Sequence, residues 1–386
     1  MGDIDGDSDR RCPYPFAWPA GLTQPKELLD SHQSPLQEVT VPSGDTALLI
    51  SRYSDVRTVL TDERLSKNRN RPDIAKMTER KERAFQWQVD TDPAAHLRMR
   101  RLIAKEFTAA RVEKMRPRIT ETAHELIDSM KAQTSLPVDL SSSFSFPFSI
   151  RIICELLGVP ESDRKMFDNV KKPPWEYMQG LIDQKRENPD DALISALIQV
   201  ADRRDGKLSA NELVWWATIL LLAGYETTAN QISSAMVLLF THPDQLALLR
   251  SDYSLIPSAV EELLRCQVVG TSLSMLRYVT DDMTVAGECV PGGSSVIPSL
   301  ECANHDPEAF TEPERIDITR SGNMQLTFSV GRHFCLGAAL ARAELQIAVE
   351  TLLRRFPTLS LAVGPDELER VTDRFFQTFR SVPIQW

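Results

Sequence analysis

The sequence predicts a mainly α-helical fold with small β-sheets, and three patterns carry that expectation. Behind Cys335, the residues Leu336, Leu340, Ala343, Ile347, Ala348, Leu352 and Leu353 recur at helical spacing, with polar residues between them. From about Asn211 to Phe240, apolar residues cover almost the whole circumference in the first half, which suits a helix running through a core. Strand-like runs are few and short, at 38–41, 47–50, 359–363 and 378–384. The 386 residues suffice for two or three average domains or for one large one.

Taken in order, residues 1–25 are rich in proline and aromatics and read as an irregular segment over the surface. Residues 35–53 hold two strand-like runs around Pro42-Ser-Gly-Asp45, a strand–turn–strand unit. Ser54 is the expected N-cap of a helix over 55–60. Residues 64–89 are charged and weakly periodic, a long and partly helical loop. Asp92 and Pro93 open a helix in which His96 and Arg100, four apart, share a face. As residues alone, these two read as a solvated basic stripe. Helices follow over 109–131 and 149–157, the second closing at Gly158-Val-Pro160. Lys171-Lys-Pro-Pro-Trp175 then interrupts whatever helix precedes it. Another helix starts within Asp190-Asp-Ala-Leu-Ile-Ser195. Ser209, with Glu212 three residues on, forms a capping box that opens the long apolar helix.

Inside that helix lies Ala223-Gly224-Tyr225-Glu226-Thr227-Thr228. A glycine, a carboxylate and two threonines are costly to bury there without a purpose. Threonine can bond back to the carbonyl one turn earlier, so a local bend is expected. A satisfied polar kink is the plain alternative to a functional one. Further on, Glu262 and Arg265 stand three apart and can pair. Residues 284–297 read as a hairpin turning at Pro291-Gly. Two closing strands end the chain.

Composition narrows the function. The six cysteines are scattered with no C-x-x-C pair, which argues for a reducing compartment and against structural zinc or a disulfide scaffold. The acidic first residues resemble neither a signal peptide nor an anchor, and the longest apolar run, 213–224, is too short to span a bilayer. A cytoplasmic protein is expected. A net charge of −10 disfavours nucleic acid as a partner.

The most informative stretch is Phe328-Ser-Val-Gly331-Arg-His333-Phe-Cys335-Leu-Gly337. It places one cysteine at or just before the first turn of a long helix, where unpaired amides favour a thiolate. Gly331 and Gly337 flank it, as expected where a backbone approaches something large and flat. Arg332, His333 and Arg342 add positive or positively chargeable groups. A free buried cysteine is the plain reading of Cys335; a haem iron held by thiolate, with propionates to be paired, is the other.

Phe-x-x-Gly-x-His-x-Cys-x-Gly resembles the haem-binding signature of cytochromes P450, matched at every position, and Ala223-Gly-x-Glu226-Thr227 resembles that family's oxygen-binding motif. Resemblance extends over nearly the whole chain, from the Asp-Pro-x-x-His96-x-x-x-Arg100 stretch to Arg342, and points to the soluble bacterial members. It implies a single large domain, 1–386, around a buried haem b, with residues 163–185 a partial or incompletely represented lid. By the same resemblance, Cys335 is the axial iron ligand, while His96, Arg100, Arg277 and His333 serve the propionates. Phe328, Gly337 and Ala223 frame the haem. Gly224 leaves space for dioxygen, Thr227 hydrogen-bonds at that oxygen, and Glu226 feeds protons from solvent. Glu262, Arg265 and Arg315 form a structural triad, and Phe375 and Phe376 sit where the C-terminal turn meets substrate.

The activity so implied is a haem-thiolate monooxygenase, acting on a small, largely apolar molecule in natural-product or xenobiotic metabolism. Electrons would come from NAD(P)H through a ferredoxin reductase and a ferredoxin, docked on a patch drawn from Arg98, Arg101, Lys105, Arg111, Arg332 and Arg342. A monomer is expected. The first alternative is a peroxide-using peroxygenase or an oxidative-coupling enzyme. A haem carrier without turnover is more distant, because a carrier has no use for the Glu226–Thr227 pair.

Overall fold

The computed structural model describes residues 12–19, 24–68, 71–77, 93–133, 135–167, 174–203, 208–372 and 376–386. Its helices, in chain order, are α1 (Lys26–Asp30), α2 (Tyr53–Thr61), α3 (Pro93–Ile103), α4 (Ala109–Lys131), α5 (Phe146–Leu157), α6 (Trp175–Glu187) and α7 (Leu193–Ala201). They continue with α8 (Ala210–Thr241), α9 (Pro243–Ser251), α10 (Ile256–Cys266), α11 (Leu300–Ala303) and α12 (Ala338–Arg355).

The strands are short. One sheet takes the order β1 (Cys12–Pro13), β2 (Leu36–Thr40), β3 (Thr46–Ile50), then β9 (Ser295–Pro298), β6 (Arg277–Val279) and β4 (Leu65–Ser66). β10 (Ser360–Leu361) pairs with β13 (Pro383–Gln385), which pairs with β5 (Val138–Asp139). Two hairpins, β7 (Met283–Val285) with β8 (Glu288–Val290) and β11 (Arg370–Thr372) with β12 (Gln377–Phe379), stand apart. The fold is mainly helical with small sheets, as the patterns predicted.

Helix α8 is the axis. Its capping box forms as read, with Ser209 accepting from the Glu212 amide and Glu212 accepting from the Ser209 amide. Leu213, Leu221, Ile232 and Met236 are fully buried along it. Helices α5, α6, α10 and α12 pack around it, so its apolar circumference has a neighbour on most sides. Each such buried aliphatic side chain contributes about 1.5–3 kcal/mol relative to exposure.

Three local readings need correction. Ser54 does not cap α2: the helix begins at Tyr53, and the Tyr53 amide donates to Asp306 Oδ2 at 2.7 Å. The hairpin in 284–297 turns at Ala286 and Gly287, both at positive φ, rather than at Pro291-Gly, which instead leads into β9. A π-turn over Ser141–Ser145 extends the helix expected at 149 back through Phe146, a start hidden by the weak helical preference of a serine run. At the N-terminus, Tyr14 and Phe16 are buried beside β1. Lys171–Pro173 and Phe375 lie outside the described residues. Among the described residues, no single helix is long and apolar enough to cross a membrane.

Candidate functional site

The cysteine loop is built against α2. Gly331 has φ of +74°, and a Cβ there would lie 2.8 Å from the Leu60 carbonyl oxygen. Only glycine satisfies both constraints. The Cys335 amide donates to the Phe328 carbonyl at 2.8 Å, folding the loop back on itself. Phe328 lies under the Arg342 guanidinium, 4.5 Å from ring centre to Cζ, and Glu261 grips that guanidinium at 2.6 and 3.0 Å. Gly337 is the N-cap of α12, so Cys335 stands just before the helix, and a Cβ on Gly337 would project into open space.

The Cys335 side chain is accessible, yet burial still pushes its thiol up. It lines a recess rather than the outer surface. The Gly337 amide, Arg100 and Arg342 act in the opposite direction and favour the thiolate. As the chain stands, burial wins. A cation bound at the sulfur would favour the thiolate further.

Several cations gather around two stacked histidines. The His96 and His333 rings stack at 4.6 Å with 25° between their planes. Burial lowers His96 to about 4, and Arg100, Lys67 and Arg332 push the same way. Burial also lowers His333 strongly, with Lys67, Arg277, His96 and Arg332 adding to it. Arg100 donates to the Phe334 carbonyl. Arg277, on β6 and 2% exposed, donates to the Met275 and Leu276 carbonyls. Arg332 keeps a buried Nη2 without a hydrogen-bond partner among the described residues. Cations gathered around two histidines that they help keep neutral suit an anionic ligand.

Facing chemistry comes from α8. Ala223 is exposed although it lies midway along the most buried helix, so it borders interior space. The Thr227 hydroxyl donates to the Ala223 carbonyl at 2.7 Å, the expected back-bond. Glu226 is half-buried, and burial together with Glu226 pushes the Tyr225 hydroxyl up to about 12. Gly224 also carries a packing constraint beside the expected role. A Cβ there would lie 2.6 Å from Ile153 Cγ1 on α5, so glycine is required by helix packing.

The buried triad also differs. Arg265 donates to both Glu262 oxygens at 2.8 Å, with both side chains 0% exposed. The third arginine is Arg320, whose Nε reaches Glu262 at 3.1 and 3.2 Å. Arg315 instead pairs with Glu312 at the surface and contributes only its backbone carbonyl. Burial pushes Glu262 up, but Arg265, the Asp317 amide and Arg320 outweigh it and hold the carboxyl below its usual range.

Asn304, which the sequence reading had not singled out, joins this triad to the cysteine loop. Its carbonyl accepts from Arg265 at 2.8 Å, and its side chain accepts from the Leu326 amide at 2.7 Å. The cationic patch proposed for a redox partner is narrower than expected: Arg98 pairs with Glu212, Arg111 with Glu106 and Arg342 with Glu261.

Among the described residues, no group of three or more His, Cys, Asp or Glu converges to hold a bare metal ion. A lone accessible thiol therefore suits an iron that brings its other ligands with it. The open space at Gly337 and the cations around His333 suit the plane and the carboxylates of a haem. The residues fit the group.

The sequence model of the family Cytochrome P450 matches residues 145–370. The chain is 38% identical to the mycinamicin IV hydroxylase/epoxidase of Micromonospora griseorubida, over 97% of this chain and 98% of that protein. It is 40% identical to the vitamin D(3) 25-hydroxylase of Pseudonocardia autotrophica, over 87% of each. The crystal structure of the LnmA cytochrome P450 hydroxylase, from the leinamycin biosynthetic pathway of Streptomyces atroolivaceus, superposes with a TM-score of 0.87 at 35% identity, covering 97% of this chain and 100% of that one.

Proposed function

The chain belongs to the cytochrome P450 family and is a monooxygenase of secondary metabolism, and from that premise we propose which of its residues carry the reaction. Cys335 would hold the haem iron through its sulfur. His96, Arg100, Arg277 and His333 face the propionates, while Phe328, Gly337 and Ala223 frame the ring. Glu226 and Thr227 deliver protons. The observation that carries this reading is the accessible Cys335 beside Arg100 and next to the stacked His96 and His333 rings, with Arg277 and Arg332 around them.

When bound, the haem would supply dioxygen activation, and a Cys335 thiolate would lend it electron density. The net reaction consumes a C–H or other oxidisable site, dioxygen, two electrons and two protons, and yields oxidised product and water. The protein's own part is proton management and water exclusion. Thr227 spends its hydroxyl proton on Ala223, which leaves its oxygen lone pairs to accept a hydrogen bond from a protonated group in the recess. Glu226, half-buried on the same turn, can exchange protons with solvent and pass them inward.

The electrons come from NAD(P)H by way of a ferredoxin and its reductase, with Arg101 and Lys105 as the exposed cations that remain for docking beside α3. The substrate is a small organic molecule of largely apolar character. The named relatives are a mycinamicin IV hydroxylase/epoxidase and a vitamin D(3) 25-hydroxylase, so mycinamicin IV and vitamin D3 are the first probes to screen. Residues 163–185 remain the candidate lid.

The test is the absorption spectrum of the reduced protein under carbon monoxide. A strongly red-shifted Soret band, abolished in Cys335→Ser, is the expected result. Haem bound with an unshifted band would remove Cys335 from the iron.

A further inference from the structure

The hairpin β11–β12 packs on α8, and a part-buried hydrogen bond joins them. Thr378 Oγ1 donates to Asn230 Oδ1 at 2.6 Å, and Asn230 is 3% exposed. Asn230 lies three residues after Thr227 and four after Glu226, so all three belong to adjoining turns of one helix face. That bond fixes the Asn230 amide against the hairpin. The same hairpin is fixed from its other side: Gln377 donates its amide to the Val269 carbonyl at 2.8 Å, and Phe376 bridges to Gly270.

An asparagine inside an apolar helix is costly unless its polar atoms are satisfied. A hydroxyl on a strand 148 residues away satisfies this one. Nothing about the helix itself requires it. The Thr227 hydroxyl is engaged with Ala223, so where its oxygen stands relative to the recess depends on the geometry of the turn between 223 and 230. The Thr378–Asn230 bond anchors the end of that turn.

We propose that Asn230, oriented by Thr378, is a positioning residue for the Glu226–Thr227 pair. The hairpin thereby becomes part of the proton-delivery apparatus. This rests on the assignment of Glu226 and Thr227 as that pair, and the test separates the two.

The variants are Thr378→Val, which keeps the shape and removes the hydroxyl, and Thr378→Ser, which keeps the hydroxyl. Each is loaded with haem and supplied with NADH through a surrogate ferredoxin and reductase, without organic substrate. The readout is how consumed dioxygen divides between hydrogen peroxide (two electrons, two protons) and two waters (four electrons, four protons). Two further readouts do not depend on turnover: the carbon monoxide spectrum, and the affinity for imidazole titrated by its Soret shift.

We expect Thr378→Val to raise the peroxide share about threefold or more, with the spectrum and imidazole affinity unchanged. Thr378→Ser should restore the wild-type division. An unchanged division in Thr378→Val, alongside a raised share in Glu226→Gln and Thr227→Ala, would sink this inference and leave the pair intact. No change in any of the three variants would overturn the assignment of the pair itself. A Thr378→Val protein that loses the red-shifted spectrum and imidazole affinity, and is not corrected by serine, would make the bond purely structural.

Discussion

Glu262 and Arg265 meet through two hydrogen bonds of 2.8 Å, and neither side chain reaches solvent. Arg320 and Asn323 close on the same carboxylate, Asn323 at 2.9 Å. The pair is a fastening, since Arg265 also holds the Asn304 and Pro313 carbonyls at 2.8 Å. Removing one partner leaves a buried charge uncompensated. Glu262→Gln and Arg265→Ala should therefore each cost about 3–5 kcal/mol. Arg320→Ala should cost less, and Arg315→Ala should stay within about 0.5 kcal/mol. Urea unfolding of the four variants gives the order, and a large loss in Arg315→Ala would return that residue to the triad.

Gly224 and Ile153 set a second expectation. A Cβ at 224 would sit 2.6 and 2.7 Å from the Ile153 side chain, so Gly224→Ala forces α8 and α5 apart. The cost should be about 1–3 kcal/mol, as for other overpacked cores. Ile153→Ala in the same chain opens the space, so the double variant should be more stable than the sum of the two singles predicts. Additive losses would show that the glycine serves something other than this contact.

His305 gives a pH dependence. Its ring is neutral and satisfied on both sides, with Nδ1 donating to the Glu301 carbonyl at 2.8 Å and Nε2 accepting from the Gln24 amide. Burial lowers its pKa to about 4. Between that value and the unfolded value of about 6.5, the unfolded chain binds the extra proton. Stability should be complete above about 6.5 and fall as the pH drops toward 4, by up to roughly 3 kcal/mol from this residue. Thermal melts between those limits should be flatter in His305→Gln, and an unchanged slope would place the titration elsewhere.

What was legible in the sequence was local. The capping box at Ser209 and Glu212, the Thr227 back-bond and the Glu262–Arg265 pair all connect residues three or four apart, so spacing alone could announce them. The cysteine loop was legible for a related reason, because its parts lie within ten consecutive residues. The errors at the triad and at the start of α2 lie where a side chain's partner is distant in sequence. Arg320 and Arg315 both stand near enough to serve Glu262, and only the packing of the intervening turn sends one inward and the other to Glu312. Ser54 lost the cap of α2 to Asp306, 253 residues from the amide it serves. The grip of Glu261 on Arg342 spans 81 residues and had no sequence signal at all.

Helix α2 is tied at both ends. Asp306 holds its first amide, and the carbonyl of Leu60, near its last turn, rests on Gly331. Nine residues, about 13 Å of helix, thus act as a spacer between the Asn304–Asp306 stretch and the loop that carries Cys335. A spacer tolerates changes of surface side chain but not of length. Adding or deleting one residue would rotate the last turn by about 100° and shift it by about 1.5 Å, lifting Leu60 off the glycine. A helix that looks peripheral, with Asp55 and Arg57 facing outward, is therefore the gauge that sets where the thiol stands.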